Sequence, residues 1–139
     1  MMAEKVIHIT DSDRKRLKQL IRDTRAFGRE HEFHIKELEE ELSRAKVVKS
    51  KDIPKDVITM NSKVRLRDLA TRKEMTYSLV FPDDADPDQH KISILAPIGT
   101  ALIGYRVGDI IEWKVPAGLR KLKVLEVLYQ PEAAGDYHL

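Results

Sequence analysis

Three aspartates stand at alternate positions, Asp84, Asp86 and Asp88, as they do where a calcium-binding loop begins. Such a loop then needs Gly at its sixth position to turn sharply and a bidentate Glu at its twelfth to close the oxygen cage. Those positions hold Gln89 and Leu95, and Pro87 interrupts the run, so the segment reads as a solvated turn. His31-Glu32-Phe33-His34 is one spacer short of a zinc-protease motif. Two imidazoles reach one metal from one helix face only at i and i+4, and no third ligand accompanies these two. His8, His90 and His138 are isolated. Gly99, Gly104 and Gly108 fit neither nucleotide fingerprint, no Gly-x-Ser-x-Gly elbow presents a nucleophile, and there is no cysteine. Lys63, Arg65 and Arg67 could meet phosphates, but they alternate with Val64 and Leu66 as the outward face of a half-buried strand does. No catalytic group, metal site or cofactor site emerges. The residues describe a binding module, not an enzyme.

A chain of 139 residues, 42% hydrophobic, has room for one domain with an appendage and for a modest core. Its 25 Lys and Arg against 23 Asp and Glu leave a formal charge of +2, without the clustered basic footprint of a nucleic-acid reader. Met1–Thr10 has no basic region leading into an apolar run, and no apolar stretch approaches the roughly 20 residues of a spanning helix. A cytoplasmic location without membrane contact is expected.

Two periodicities divide the chain. Thr10 or Asp11 can cap a helix by accepting an early backbone N–H, and Leu17, Leu20, Ile21, Thr24 and Phe27 give that helix one apolar face. Gly28 interrupts the pattern. Ile35, Leu38, Leu42 and Ala45 mark a second helix, and two helices joined by a short turn pack antiparallel through such stripes. The first arm is basic (Arg14, Lys15, Arg16, Lys18, Arg22, Arg25) and the second acidic (Glu30, Glu32, Glu37, Glu39, Glu40, Glu41), so the pairing sets unlike charges side by side. Residues 1–50 are thus expected as a helical hairpin, a short coiled coil with arms of about 25 Å, leaning on residues 51–139. Val47–Lys55 reads as a linker, punctuated by Pro54.

Beyond it the period is two. Val64 and Leu66 belong to one strand, Met75, Tyr77, Leu79 and Phe81 to the next, and Ile92 and Ile94 to a third over Lys91–Leu95. Ile111, Trp113 and Val115 share one face of a fourth. Leu119–Tyr129 makes a fifth that becomes apolar on both faces, as an interior strand does. Asp68–Glu74 is a hairpin loop, Pro82–His90 an acidic surface loop, and Pro131–Gly135 the end of regular structure. Between the third and fourth strands, Pro97 and Gly99 open a short apolar segment that Gly104 closes. A helical turn apolar nearly all round must be buried on several sides. The expected class is α+β: the hairpin plus a curved antiparallel sheet around this short helix.

The span Leu95-Ala-Pro-Ile-Gly-Thr-Ala-Leu-Ile-Gly-Tyr-Arg-Val-Gly-Asp-Ile-Ile-Glu-Trp113, followed by Pro116-Ala-Gly118 and Leu122–Tyr129, resembles the C-terminal domain of the bacterial Gre transcript-cleavage factors. Asp56-Val-Ile-Thr-Met-Asn-Ser62 and Tyr129-Gln-Pro-Glu-Ala-Ala-Gly-Asp-Tyr137 extend the likeness to the Rnk type of that family, the regulators of nucleoside diphosphate kinase. It covers nearly the whole chain, most specifically residues 56–137. The resemblance implies an FKBP-like C-terminal fold, an antiparallel coiled coil before it, and RNA polymerase as partner, bound at the rim of its secondary channel. DNA is then met only indirectly, through the polymerase, and the chain is expected as a monomer. The family's rim-docking loop corresponds to Ala96, Pro97, Ile98 and Gly99, with Ala96 where Gre factors usually have Ser. The hairpin tip facing the channel corresponds to Arg25, Arg29 and Glu30.

Gre factors carry an acidic pair at that tip, which helps hold a second magnesium in the polymerase. Here the tip reads Arg25-Ala-Phe-Gly-Arg-Glu-His-Glu32, on a shorter hairpin. Carboxylates that cannot approach to about 2.0–2.1 Å cannot hold the metal. The expected function is therefore a transcription-associated regulator that does not stimulate transcript cleavage. It competes with Gre factors and influences nucleoside diphosphate kinase level indirectly, through expression. Two rivals stand beside it. FKBP-like folds host peptidyl-prolyl isomerases, but such a site needs an open aromatic-lined pocket, which one Trp, four Tyr and three Phe do not assemble. The other is a direct protein-level regulator of the kinase.

Overall fold

The structure, a computed structural model, describes residues 7–116, 118–137 and 139, with the backbone alone at 113–115. Of the readings above, those on Met1–Val6, on His138 and on the side chains of Trp113 and Val115 lie outside the described residues.

Thr10 is the cap. Its backbone is extended (φ −74°, ψ 151°), and its hydroxyl accepts the Asp13 N–H at 3.0 Å, starting α1 (Asp11–Ala26). Leu17 and Ile21 are buried on one face, with Leu20 packed at its margin. The face does not extend to Phe27 as its spacing predicts. The helix ends at Ala26, Gly28 turns the chain at φ +137°, and Phe27 is left 94% exposed. After the turn, α2 (Glu32–Arg44) packs against α1 and buries Ile35, Leu38 and Leu42 in the common core.

The expected linker is partly a strand. β1 (His8–Thr10) and β2 (Lys46–Val48) pair in parallel, with Ile9 opposite Val47, so the two ends of the helical pair are tied together. Three-residue strands this far apart carry too short an alternation to be read locally. Ser50–Asp52 forms one 3₁₀ turn, and Ile53 is buried after it.

Five strands follow: β3 (Lys63–Asp68), β4 (Glu74–Val80), β5 (Lys91–Ser93), β6 (Ile110–Val115) and β7 (Gly118–Tyr129), in the order β5-β4-β3-β7-β6. Every pairing is antiparallel except β4–β5, which is parallel. The sheet is mostly antiparallel, and β5 is the exception because the loop through residues 81–90 carries the chain back before β5 begins. β5 also stops at Ser93, two residues short of the expected strand, where the Ser93 carbonyl accepts the Ala96 N–H at 3.0 Å and turns the chain. β7 lies between β3 and β6, although its doubly apolar end, Val124–Tyr129, borders β3 alone and leaves Leu128 exposed. Pro131–Ala134, expected to be irregular, forms a short helix, α4.

The apolar segment is α3 (Pro97–Leu102), and it packs against both edge strands, β5 and β6, so the sheet curls around it. Close approach requires Gly99, since a Cβ there would sit 2.1 Å from the Ser93 carbonyl oxygen. Thr100 donates its hydroxyl to the Ile94 carbonyl at 2.6 Å, closing the same corner. Leu102, Ile103, Ile94, Val64, Leu66, Leu79, Leu122 and Val124 form a core continuous with Leu17, Ile21, Ile35, Leu38 and Leu42 of the helical pair.

Candidate partner-binding surfaces

The segment before α3 divides into exposed and structural members. Ala96 is extended (φ −69°, ψ 146°) at the N-cap position, where no side chain accepts a helical N–H. Pro97 occupies the first helical position, where its missing N–H has no consequence, and it is exposed. Ile98 is half-buried and packs on the core, while Gly99 is buried against Ser93. Pro97 and the edge of Ala96 are what this corner offers a partner.

The helical tip is organised by Arg25. Its guanidinium donates to Glu32 at 2.9 and 3.2 Å and to Glu39 at 2.6 and 3.0 Å, forking across two of the carboxylates of α2. Hydrogen bonding to Arg25 holds the Glu32 carboxyl below the usual range and pushes the guanidinium upward. Arg29 and Glu30 lie exposed in the turn. Phe27 at 94% and Phe33 at 70% exposure flank it, an uncommon display of two large apolar side chains. A shallow groove of about 320 Å³ runs from Phe27, Gly28 and His31 past Leu20 to Pro82 and Leu95. The tip and the approach to Ala96, far apart in sequence, therefore share one surface.

Where the two helical arms were expected to exchange charge along their length, the pairing concentrates at Arg25. Among the described residues no carboxylate of α2 pairs with Arg14, Lys18 or Arg22. The basic strand face is compensated within the sheet instead, with Arg65 3.1 Å from Glu126 and Arg67 2.8 Å from Glu74. Of the acidic run, Asp86 accepts the Asp88 N–H at 3.1 Å, an ordinary turn contact. His31 begins α2 without a side-chain capping bond, and the His34 ring meets Phe33 edge-on.

A further cluster went unread in the sequence. Asp13, wholly buried, accepts the Met60 backbone N–H at 3.0 Å and pairs with Arg16 at 2.5 Å. Arg16 also donates to the Leu139 backbone oxygen at 2.9 Å and lies over the Phe81 ring. Beside it, Glu132 of α4 accepts the Thr59 hydroxyl at 2.7 Å, and Ser62 bonds Thr59 twice at 2.9 Å. Burial pushes both the Asp13 and Glu132 carboxyls up, against the hydrogen bonds that favour their charged forms. The strings 56–62 and 129–137 meet here. Local sequence showed only an acidic residue in a first helical turn, which the helix dipole explains unaided.

Comparison with known proteins matches residues 53–129 to the family described as transcription elongation factor, GreA/GreB, C-term, and residues 5–48 to the Rnk N-terminus. The chain is 46% identical over 103 residues to the regulator of nucleoside diphosphate kinase of Escherichia coli K12, covering 73% of this chain and 76% of that one. It is 45% identical over 96 residues to transcription elongation factor GreA of Acetivibrio thermocellus, covering 69% of this chain and 60% of that one. A solved structure, the prokaryotic transcription elongation factor GreA/GreB from Nitrosomonas europaea, superposes with a TM-score of 0.72 at 42% identity, covering 91% of this chain and all of that one.

Proposed function

The chain belongs to the GreA/GreB transcription elongation factor family, in its Rnk type, and on that footing we propose that it binds RNA polymerase at the secondary-channel rim and competes there with Gre factors. In this reading Ala96 and Pro97 touch the rim, Ile98 and Gly99 hold that corner in shape, and the short coiled coil points its tip toward the channel. The curled sheet around α3 is the FKBP-like part. No helix among the described residues is long and apolar enough to cross a membrane, and the reading places the protein in the cytoplasm.

The tip carries the argument against cleavage stimulation. Glu32 is committed to Arg25, and Glu30 stands next to the basic Arg29 in the turn. Oxygens engaged by a guanidinium are poor donors to a metal that demands near-ideal octahedral geometry. Adding the protein to a backtracked elongation complex should leave the transcript at full length while slowing cleavage by a true Gre factor; shortening of the transcript would refute the reading. Pro97→Asp, at an exposed position, should abolish polymerase co-purification with the fold intact.

The E. coli relative's name supports a second reading, a direct contact with nucleoside diphosphate kinase. Our reading has the kinase respond through its expression. Mixing the two purified proteins separates these, since only direct regulation predicts a complex.

A further inference from the structure

Arg14, Lys18 and Arg22 recur every four residues along one face of α1, which sets them about 6 Å apart in a row. None is paired with a carboxylate among the described residues; Arg22 donates only to Gln19, at 2.7 Å. They form one wall of a groove of about 390 Å³ between α1 and α2, with Ile21 and Leu42 at its floor and Ser43 on the far side. Glu39, the carboxylate within it, is already neutralised by Arg25. The groove is thus a strip with three uncompensated positive charges over a narrow apolar floor.

We propose that this groove seats one face of an acidic partner helix. A helix with Asp or Glu at i, i+4 and i+8 repeats at the same step of about 6 Å, so each carboxylate meets one cation. Small apolar side chains between the carboxylates cover Ile21 and Leu42, and the pair of helices becomes a three-helix bundle. Single-stranded nucleic acid fits less well. No aromatic ring lines the groove to stack a base, and its floor of Ile21 and Leu42 suits apolar side chains, not a sugar–phosphate backbone. The surface lies apart from the corner at Pro97 and is independent of what binds there.

The test uses the full chain and two labelled probes. One is a peptide of about 15 residues with Glu at i, i+4 and i+8 and Ala between, cross-linked because unconstrained helices of that length are marginal. The other is a single-stranded oligouridylate. Anisotropy should show peptide binding that weakens with salt and falls about tenfold in the Arg14→Gln, Lys18→Gln, Arg22→Gln variant, whose helix content by circular dichroism is unchanged. Lys18→Glu should lose the peptide and regain it when the facing Glu of the peptide is replaced by Lys. Absent peptide binding, binding indifferent to the triple substitution, failed charge-swap rescue, or tighter binding of the oligouridylate at the same residues would each overturn the proposal.

Discussion

The carboxylate of Asp13 accepts the backbone N–H of Met60 at 3.0 Å, and this bond fastens the first helix to the loop that leads into the sheet. Forty-seven residues separate the two. Arg16, turned back from α1 over Phe81, closes the other side of the same carboxylate. The angle of the helical pair on the sheet is therefore held by a buried charged group, where a hydrophobic contact alone would permit sliding.

Removing that acceptor should be expensive. Asp13→Ala leaves the Met60 N–H buried without a partner and frees Arg16, and should lower stability by about 2–3 kcal/mol in urea titration. Asp13→Asn keeps an oxygen for Met60 and should cost less than about 1 kcal/mol. Equal losses from the two would show that the Met60 bond is not what holds the junction.

The same cluster sets a pH dependence of unusual sign for carboxylates. Burial raises Asp13 from 3.8 and Glu132 from 4.5 in the folded chain. Between the unfolded and the raised folded values the folded state holds more protons, so stability falls as pH rises through that window. Asp68, Glu32 and Glu74 act oppositely: their pKa values are lowered, and the stability they contribute is lost only as pH falls below the ordinary carboxylate range. Above pH 4.5, the wild-type urea midpoint should decline with pH, while Asp13→Asn with Glu132→Gln should be flatter. Parallel curves would remove these two groups as the cause.

How far this was legible differs by element. The helix faces through Leu17, Ile21, Ile35 and Leu38 follow from spacing, because burial of one helix side leaves a 3.6-residue imprint whatever the partner is. Alternation likewise shows which face of β3 or β7 is inward. It says nothing about which strand lies beside which, so the parallel pairings β1–β2 and β4–β5, both made by chain that returns from elsewhere, could not be read. The short buried helix was legible from Pro97 and Gly99 at its start and Gly104 beyond its end. That Gly99 serves Ser93 while Pro97 faces outward depends on the third dimension.

Gly99 tests that division. With a Cβ placed 2.1 Å from a backbone oxygen, no side chain can move aside, and Gly99→Ala must displace α3 from β5. A loss of about 1–3 kcal/mol is expected, read as a lowered urea midpoint. An unchanged midpoint would mean that the corner yields without strain.

Ala96 offers the reverse. It stands at an N-cap with no side-chain oxygen, ahead of helical N–H groups that begin at Ile98, since Pro97 has none. Ala96→Ser supplies an acceptor in backbone that is already extended, and should raise stability by about 0.5–1 kcal/mol. No gain in thermal midpoint would show that the first turn of α3 is already satisfied by solvent.

The exposed aromatics at the tip separate folding from binding. Phe27 contributes little to the core at 94% exposure, so Phe27→Ser should change stability by no more than about 0.5 kcal/mol. It does line the groove that reaches Pro82 and Leu95, whereas Phe33 does not. If polymerase covers this surface, Phe27 is buried on binding and its loss should weaken the complex by about tenfold or more. Phe33→Ser, on the other flank, should weaken it far less. Equal effects of the two substitutions would point to general apolar adhesion, and no effect of either would leave the tip outside the interface and confine docking to the corner at Pro97.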